Sequence, residues 1–203
     1  MGIVMMHAAV SVDGFIADEN DQVGPLFDYY VNGDAEIIEG GQLKVSQVSA
    51  AYLRPIVAGT GAMVIGRRLF DLTNGWEGMP PAGDHVVVVS HRPRPADWRP
   101  SGIQSVHPRE RQASYYFIGD VAQAVAKAKE LAGERTVAVT AGEIGGQALA
   151  LGLVDEVAMD VVPVVFGTGK RYFGSFGGQH LLEDPDTVIQ GDRVLHLRYR
   201  ARR

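Results

Sequence analysis

Arginine side chains follow two short apolar runs of this sequence. Gly66-Arg67-Arg68 comes directly after Val64-Ile65, and Ser90-His91-Arg92 comes after residues 86–89. A guanidinium presents a fork of N–H donors that matches the oxygens of a phosphate, and a serine hydroxyl can add one more hydrogen bond. Taken singly, each turn is also typical of arginines that are merely solvated, and His91 could equally be an exposed histidine with no role. The two turns indicate positions where a phosphate could bind.

A third turn is rich in glycine. Ala141-Gly142-Glu143-Ile144-Gly145-Gly146 follows the β-branched run Thr136–Thr140 and precedes a helical pattern over 147–151 that Gly152 can end. Free N–H groups and the dipole at a helix N-terminus favour an anion there. The spacing differs from the Gly-x-Gly-x-x-Gly dinucleotide fingerprint, and the Gly-Lys-Ser/Thr ending of a P-loop is missing. The turn predicts a phosphate site without naming the ligand.

Strand and helix patterns alternate along the chain and would position these turns. Apolar runs predict strands at 3–12, Phe15–Ala17, 62–65, His85–Val89, 115–118, Thr136–Thr140 and 156–165. Helices are predicted at 49–58 with Ser49 as N-cap, at 66–72, at Val121–Ala132 after a cap at Asp120, and at 147–151. A terminal antiparallel hairpin is predicted at 187–190 and 194–199. We therefore expect a single α/β domain over residues 1–203, with a largely parallel sheet and an antiparallel edge.

Three segments depart from this alternation. Pro55 lies inside the first predicted helix and should bend or shorten it. Residues 94–114 are rich in proline and arginine, with at most one short strand at 103–106. Residues 18–41 form a long polar and aromatic excursion, which we interpret either as a lid over a binding site or as a surface insertion.

The composition excludes several classes of function. The 203 residues contain 19 basic and 24 acidic side chains and no cysteine. The net charge of −5 argues against a nucleic-acid partner, and the lack of cysteine excludes disulfides and cysteine-ligated metals. No signal-peptide pattern and no apolar run of roughly 18 residues is present, so we expect a cytoplasmic protein with no membrane partner. No metal site is predicted.

The order of these motifs resembles the dihydrofolate reductase superfamily, and more closely the reductase domain of riboflavin biosynthesis and its stand-alone relatives. The strand followed by Gly66-Arg67-Arg68, then Pro80-Pro81-Ala82-Gly83 before the strand that ends in Ser90, matches that order. Further similar stretches are 8–17 with its Ser-x-Asp-Gly element, Gly152-Leu153-Val154-Asp155-Glu156, and 163–169 with its Pro-x-x-x-Gly-x-Gly signature. The resemblance implies an α/β, dihydrofolate reductase-like three-layer fold, with a mixed but mostly parallel central sheet, helices on both faces and a C-terminal antiparallel hairpin.

The resemblance also implies NADPH as the cofactor. Gly66, Arg67, Arg68, Ser90, His91 and Arg92 would then lie on the adenosine side, where the 2′-phosphate is bound. The pyrophosphate would be held by Gly142, Glu143, Ile144, Gly145, Gly146 and Gln147. Ala9 and Ile16 would approach the nicotinamide. Leu69 departs from the pattern, because many relatives have a threonine at this position.

The substrate side carries fewer signals. The resemblance makes Asp13 and Asp28 the catalytic candidates, although Asp13 could instead satisfy N–H groups of the turn at Gly14. The carboxylate that polarises folate in true dihydrofolate reductases has no secure match here, which argues against folate.

We expect an NADPH-dependent reductase that transfers a hydride to a pteridine- or pyrimidine-like small molecule. The aminouracil phosphoribosyl intermediate of riboflavin synthesis belongs to this class. The alternatives are a non-catalytic module that binds NADPH or another nucleotide, and a reductase that uses flavin or deazaflavin. The apolar segment 163–166 favours a homodimer.

Overall fold

The computed structural model describes residues 2–102 and 112–202. Within these ranges the strands are β1 (Val4–Ser11), β2 (Phe15–Ala17), β3 (Ala35–Glu36), β4 (Lys44–Val45), β5 (Thr60–Gly66), β6 (His85–Val89), β7 (Ser114–Ile118), β8 (Thr136–Thr140), β9 (Glu156–Val162), β10 (Lys170–Arg171), β11 (Thr187–Gly191) and β12 (Val194–Arg200). The helices are α1 (Gln47–Gly59), α2 (Arg67–Thr73), α3 (Val121–Ala132) and α4 (Glu143–Ala150). Two short 3-10 segments are Gly24–Tyr30 and Asn74–Gly78.

Eight strands form one sheet in the order β11-β12-β9-β1-β8-β5-β6-β7. The strands from β9 to β7 are parallel to their neighbours, while β12 and β11 are antiparallel. The C-terminal ends of β1, β8, β5 and β6 therefore reach the same edge of the sheet, and the turns that follow them lie side by side. This topology confirms the predicted α/β fold with a mostly parallel sheet and a C-terminal antiparallel hairpin.

Helices cover both faces of the sheet and give three layers. On one face, Met6 of β1 packs in the largest core with Val125 of α3 and Leu149 of α4. On the other face two smaller cores form, one containing Leu53 of α1 and one containing Phe70 of α2. The strands β1 and β8 occupy the middle of the sheet, where Ala9 of β1 belongs to the core of α1 and Ala138 of β8 packs against the core of α2.

The start of α1 differs from the prediction. Ser46, not Ser49, is the N-cap, and its Oγ accepts a hydrogen bond from the N–H of Ser49 at 3.3 Å. Ser49 is already helical, and its hydroxyl lies 2.9 Å from Nε2 of His196 in the interior. Pro55 does not end the helix, which continues to Gly59.

The ends of two other elements were also predicted wrongly. Strand β9 stops at Val162 and not at 165, because Pro163 has no N–H to donate to a neighbouring strand. Helix α4 begins at Glu143, so the four residues 143–146 form its first turn rather than a loop before it. The strand predicted at 103–106 lies outside the described residues.

The excursion over 18–41 is built into the protein core. Leu26 and Tyr29 of the 3-10 segment are completely buried, and Ala35 and Ile37 belong to the same core as α1. The hairpin of β3 and β4 closes this segment against α1. Most of its apolar side chains therefore stabilise the fold.

Two features are absent from the part of the chain that the structure describes. No helix in it is long and apolar enough to cross a membrane. Residues 2–102 and 112–202 also contain no group of three histidine, aspartate or glutamate side chains that could hold a metal ion.

Candidate functional site

The first turn of α4 lies at the edge where β1, β8, β5 and β6 end. Its N-cap is Gly142, whose φ of 93° is a conformation that side chains rarely adopt. The N–H of Gly142 donates to the carbonyl oxygen of Tyr172 at 2.7 Å. No side chain caps the helix, so the first N–H groups of α4 keep the donor capacity and positive dipole that an anion requires.

Two glycines in this turn allow close packing rather than flexibility. A Cβ on Gly145 would lie 2.8 Å from the Thr140 carbonyl oxygen and from the Met6 side chain. A Cβ on Gly146 would overlap the carbonyl oxygen of Phe173. The helix can therefore approach both β8 and the segment after β10. Gly145 and Gly146 were predicted to lie in a turn. They are helical, because the close contacts of α4 with β8 and with the segment after β10 leave no room for a side chain at either position.

Other predicted cofactor-binding residues surround the same helix end. A Cβ on Gly142 would lie 3.3 Å from Cδ1 of Ile16, and one on Gly66 would lie 3.2 Å from Cγ1 of Ile144. The end of β5 and the strand β2 thus meet at the start of α4. Glu143 and Gln147 are exposed, and the Glu143 carboxylate accepts a hydrogen bond from Oγ of Ser175 at 2.6 Å.

The side chain of Arg67 connects α2 to the turn after β6. Its Nη1 donates to the Pro93 carbonyl oxygen at 3.1 Å and lies 3.5 Å from Oγ of Ser90, while its Nε donates to Asp71 at 2.7 Å. Arg92 donates to the other oxygen of Asp71 at 3.3 Å. The structure therefore brings together Arg67, Ser90 and Arg92, and it adds Asp71, an acid that the sequence reasoning missed. The role of these residues on the adenosine side remains a prediction.

Arg68 and His91 lie apart from this cluster. Arg68 donates from Nε to Asp21 at 2.8 Å, and that hydrogen bond lowers the pKa of Asp21. Arg68 thereby holds the excursion near α2. His91 is exposed, with its ring beside the backbone of Gly119. The roles predicted for both residues in cofactor binding remain predictions.

A buried polar network lies beneath the middle of the sheet edge. Asp160 of β9 is completely buried, and its Oδ2 accepts a hydrogen bond from Tyr29 at 2.9 Å and lies 2.9 Å from Nε2 of His7. Its Oδ1 lies 2.6 Å from Nδ1 of His196, whose Nε2 contacts Ser49. The sequence reasoning missed this network because its members are spread from residue 7 to residue 196.

His7 is the member of the network that reaches the surface. Its side chain is 18% exposed, whereas those of Asp160 and His196 are 0% exposed. Ala9, predicted to approach the nicotinamide, is two residues further along β1 and therefore on the same face of the sheet. His7 is paired in register with Thr140, the last residue of β8 before the turn into α4.

The two predicted catalytic acids occupy different surroundings. Asp13 is exposed, and its carboxylate accepts hydrogen bonds from Oγ of Ser11 at 2.6 Å and from the N–H groups of Phe166 and Gly167 at 3.2 and 2.7 Å. The Ser11 hydrogen bond and those of the two amides lower the pKa of Asp13, despite an opposing effect of desolvation. Asp28 is an exposed residue of the 3-10 segment Gly24–Tyr30. A catalytic role for either acid remains a prediction.

The sequence matches a known protein family. A family model of the RibD C-terminal domain matches residues 3–195, which is nearly the whole chain. The chain belongs to the RibD C-terminal domain family. A search of the curated proteins found no match.

Three solved structures illustrate the similarity in fold. A protein of Shewanella sp. PV-4 described as a riboflavin biosynthesis protein is 19% identical, with a TM-score of 0.67 over 100% of this chain and 99% of its own. The diaminohydroxyphosphoribosylaminopyrimidine deaminase/5-amino-6-(5-phosphoribosylamino)uracil reductase of Thermotoga maritima is 14% identical, with a TM-score of 0.62 over 99% of this chain and 57% of its own. A pyrimidine reductase-like protein of Corynebacterium diphtheriae is 17% identical, with a TM-score of 0.58 over 100% of this chain and 92% of its own. The dihydrofolate reductase-like fold predicted from the motif order is confirmed.

A large cavity of this RibD C-terminal domain lies away from the sheet edge just described. A groove of about 1070 Å³ runs between α1 and the linker before β6. It is at the opposite ends of β5 and β6, and its two arginines are already engaged. Arg54 donates to the Glu36 carbonyl oxygen at 2.7 and 2.9 Å, and Arg135 pairs with Asp84 at 2.7 Å. The large volume of this groove is therefore not evidence that it is the functional site.

Proposed function

We propose that this RibD C-terminal domain is an NADPH-dependent reductase of a pyrimidine- or pteridine-like small molecule. The observation that carries the proposal is the uncapped N-terminus of α4, which lies where four parallel strands end. Ligands of open α/β sheets bind at such edges, and a helix N-terminus favours a phosphate. Membership of a family named after a riboflavin-pathway reductase supports hydride transfer to a nitrogen heterocycle.

The residues present fit a dinucleotide. The N–H groups of the first turn of α4 would hold the pyrophosphate, and Gly142 and Gly66 leave room beside it. Arg67 and Arg92 would face the adenosine side, with Ser90 between them. A bound reduced nicotinamide would supply the hydride. Ala9 and Ile16 would orient the nicotinamide and keep water from it.

The substrate would lie against β1, between the cores of α1 and α2. One neighbour is described as a 5-amino-6-(5-phosphoribosylamino)uracil reductase and another as pyrimidine reductase-like. We therefore propose a substrate with a uracil-like ring, and the aminouracil phosphoribosyl intermediate is the first compound to test. Asp28 is exposed and would contact the substrate from the rim. For Asp13 we propose a positioning role, because its carboxylate already connects the turn after β1 to residues 166–167.

We also propose that the protein acts as a homodimer. Val165 and Val12 are 69% and 64% exposed, and the N–H of Val12 donates to the carbonyl oxygen of Val164 at 3.0 Å. The two exposed valines therefore lie in neighbouring segments. A second copy of the chain would remove these side chains from water.

The proposed reaction can be tested by isotope transfer. The protein would be incubated with NADPH that carries deuterium at C4 of the nicotinamide, together with 5-amino-6-(5-phosphoribosylamino)uracil or a dihydropteridine. We expect deuterium in the reduced product, detected by mass spectrometry. Binding of NADPH without transfer to any acceptor would indicate a non-catalytic module, and binding of flavin or deazaflavin in preference to NADPH would indicate another class of reductase.

A further inference from the structure

One titratable side chain of the buried network is partly exposed on the face of β1 that is proposed to hold the substrate. His7 makes one hydrogen bond to the described residues, through Nε2 to Asp160, and its ring is 18% exposed. Its other nitrogen, Nδ1, is thus the one that can reach a bound molecule. Along β1, His7 is about 7 Å from Ala9, the residue proposed to lie beside the nicotinamide.

The hydrogen bonds of the network hold His7 in a fixed orientation. Asp160 is fully buried and contacts two histidines and the hydroxyl of Tyr29. Ser49, His196 and Asp160 stand in the order of a hydrolase triad, but the hydroxyl of Ser49 is in the interior, where no substrate can reach it. His7 is therefore the residue of the network that a substrate can reach, and the Asp160 carboxylate can stabilise a positive charge on the His7 ring.

We propose that His7 is the general acid of this reductase. The proposal rests on the proposed function, because the reaction needs a hydride donor. Opening of the sugar ring of the phosphoribosylamino group gives an imine. The carbon of its C=N bond would accept the hydride that a bound reduced nicotinamide supplies, and the electron pair of its π bond would move to nitrogen. That nitrogen takes a proton from Nδ1 of His7, which leaves a neutral imidazole and an oxidised nicotinamide. Solvent then returns the proton to His7 through its exposed edge.

The groups around His7 favour its protonated form. Burial lowers the pKa of His7, but the charge of Asp160 and the hydrogen bond to it outweigh this effect and raise the pKa above the ordinary value of 6.5. Burial would raise the pKa of Asp160, yet His7 and His196 together hold it well below 3.8, so the carboxylate stays ionised. Among the described residues, five other titratable groups face this network. They are His196 of β12, Tyr29 and Tyr30 of the 3-10 segment Gly24–Tyr30, Tyr52 of α1, and Tyr172 of the segment after β10. Burial raises the pKa of all four tyrosines, which leaves them neutral.

The test compares His7→Gln with His85→Gln, which changes a half-buried histidine at the start of β6. Single-turnover oxidation of NADPH by 5-amino-6-(5-phosphoribosylamino)uracil would be followed from pH 5 to 9. We expect His7→Gln to reduce the rate of hydride transfer about a hundredfold or more, with the Kd of NADPH nearly unchanged. In the wild type and in His85→Gln, the rate should fall as the pH rises through the pKa of His7. His7→Gln should lack this decrease.

The outcomes separate the two proposals. A wild type that reduces the uracil, and a His7→Gln variant with the same rate and pH profile, would overturn the role of His7 and leave the reductase assignment intact. A wild type that transfers no hydride contradicts the reductase assignment and the general acid together. If His7→Gln does not fold, the ring signals of His7 are followed by NMR in the wild type with NADP⁺ bound. A pKa above 6.5 and a shift on adding the uracil support the proposal, and a ring that neither titrates nor shifts refutes it.

Discussion

At the scale of single residues, Asp71 is the feature of the proposed adenosine site that the sequence gives least reason to expect. Its carboxylate bridges Arg67 and Arg92 at 2.7 and 3.3 Å, so it engages the guanidiniums proposed to bind the 2′-phosphate. A phosphate must displace this acid or share the arginines with it. We therefore propose that the negative charge of Asp71 opposes the two guanidiniums and thereby reduces the preference for NADPH over NADH.

Asp71→Asn should bind NADPH more tightly. Removing one exposed charge near the phosphate should lower the Kd of NADPH about threefold, because such ion pairs contribute up to about 1 kcal/mol. The Kd of NADH should change little, since NADH has no 2′-phosphate. Titration calorimetry of both dinucleotides at low salt measures this difference. Asp97→Asn, which removes an exposed charge from the loop after β6, is the matched control.

Two results would contradict a competition between Asp71 and the 2′-phosphate. If Asp71→Asn weakens NADPH binding, the acid orders the arginines for the phosphate rather than competing with it. An equal change for NADPH and NADH would show that Asp71 acts on the fold of the loop and not on the 2′-phosphate.

At the scale of elements, α4 shows why its start could not be read from the sequence. The pattern Gly-x-x-Gly-Gly looks like a turn, since glycine is a poor helix former. The helix nevertheless begins at Glu143, because Gly145 and Gly146 let its backbone touch β8 and the segment after β10. Those contacts involve residues far apart in sequence. The presence of a helix after β8 was predictable, while its first residue was not.

Gly146→Ala should destabilise the protein through this contact. The added methyl group would overlap the Phe173 carbonyl oxygen, and overpacking of this kind costs about 1–3 kcal/mol in the free energy of unfolding. Denaturant unfolding measures the change. Gly177→Ala is the control, because a Cβ there meets nothing within 4 Å, and it should change stability by less than about 0.5 kcal/mol. Equal stabilities for the two variants would show that α4 can move away from the segment after β10 without cost.

At the scale of the whole molecule, the sequence predicts the sheet better than the site. Strand patterns such as Thr136–Thr140 and His85–Val89 are local, and both strands appear with the predicted bounds. The excursion over 18–41 was ambiguous, because only the tertiary packing of Leu26 and Tyr29 makes it part of the core. The network of His7, Asp160 and His196 could not be predicted either, since each residue alone looks like an ordinary polar residue in a strand.

The proposed dimer gives a prediction at this scale. Val165→Asp should convert the dimer to a monomer, because a charge at this exposed position opposes its burial between two chains. Sedimentation velocity over a range of concentrations measures the mass. Val48→Asp is the control, an exposed valine of α1 that lies in a different element. A wild type that sediments as a monomer at every concentration would exclude the dimer.

The central claim is that a reduced nicotinamide dinucleotide binds at the N-terminus of α4. Its most direct measurement is calorimetric titration of NADPH into the wild type, Gly142→Ala and Gly152→Ala. Both glycines have positive φ, but a Cβ at Gly142 meets Ile16 at the proposed site, whereas one at Gly152 meets nothing within 4 Å. We expect Gly142→Ala to weaken binding at least about tenfold, the factor that corresponds to about 1.4 kcal/mol, and Gly152→Ala to bind like the wild type. A wild type that does not bind NADPH, or a Gly142→Ala variant that binds as tightly as Gly152→Ala, would contradict the claim.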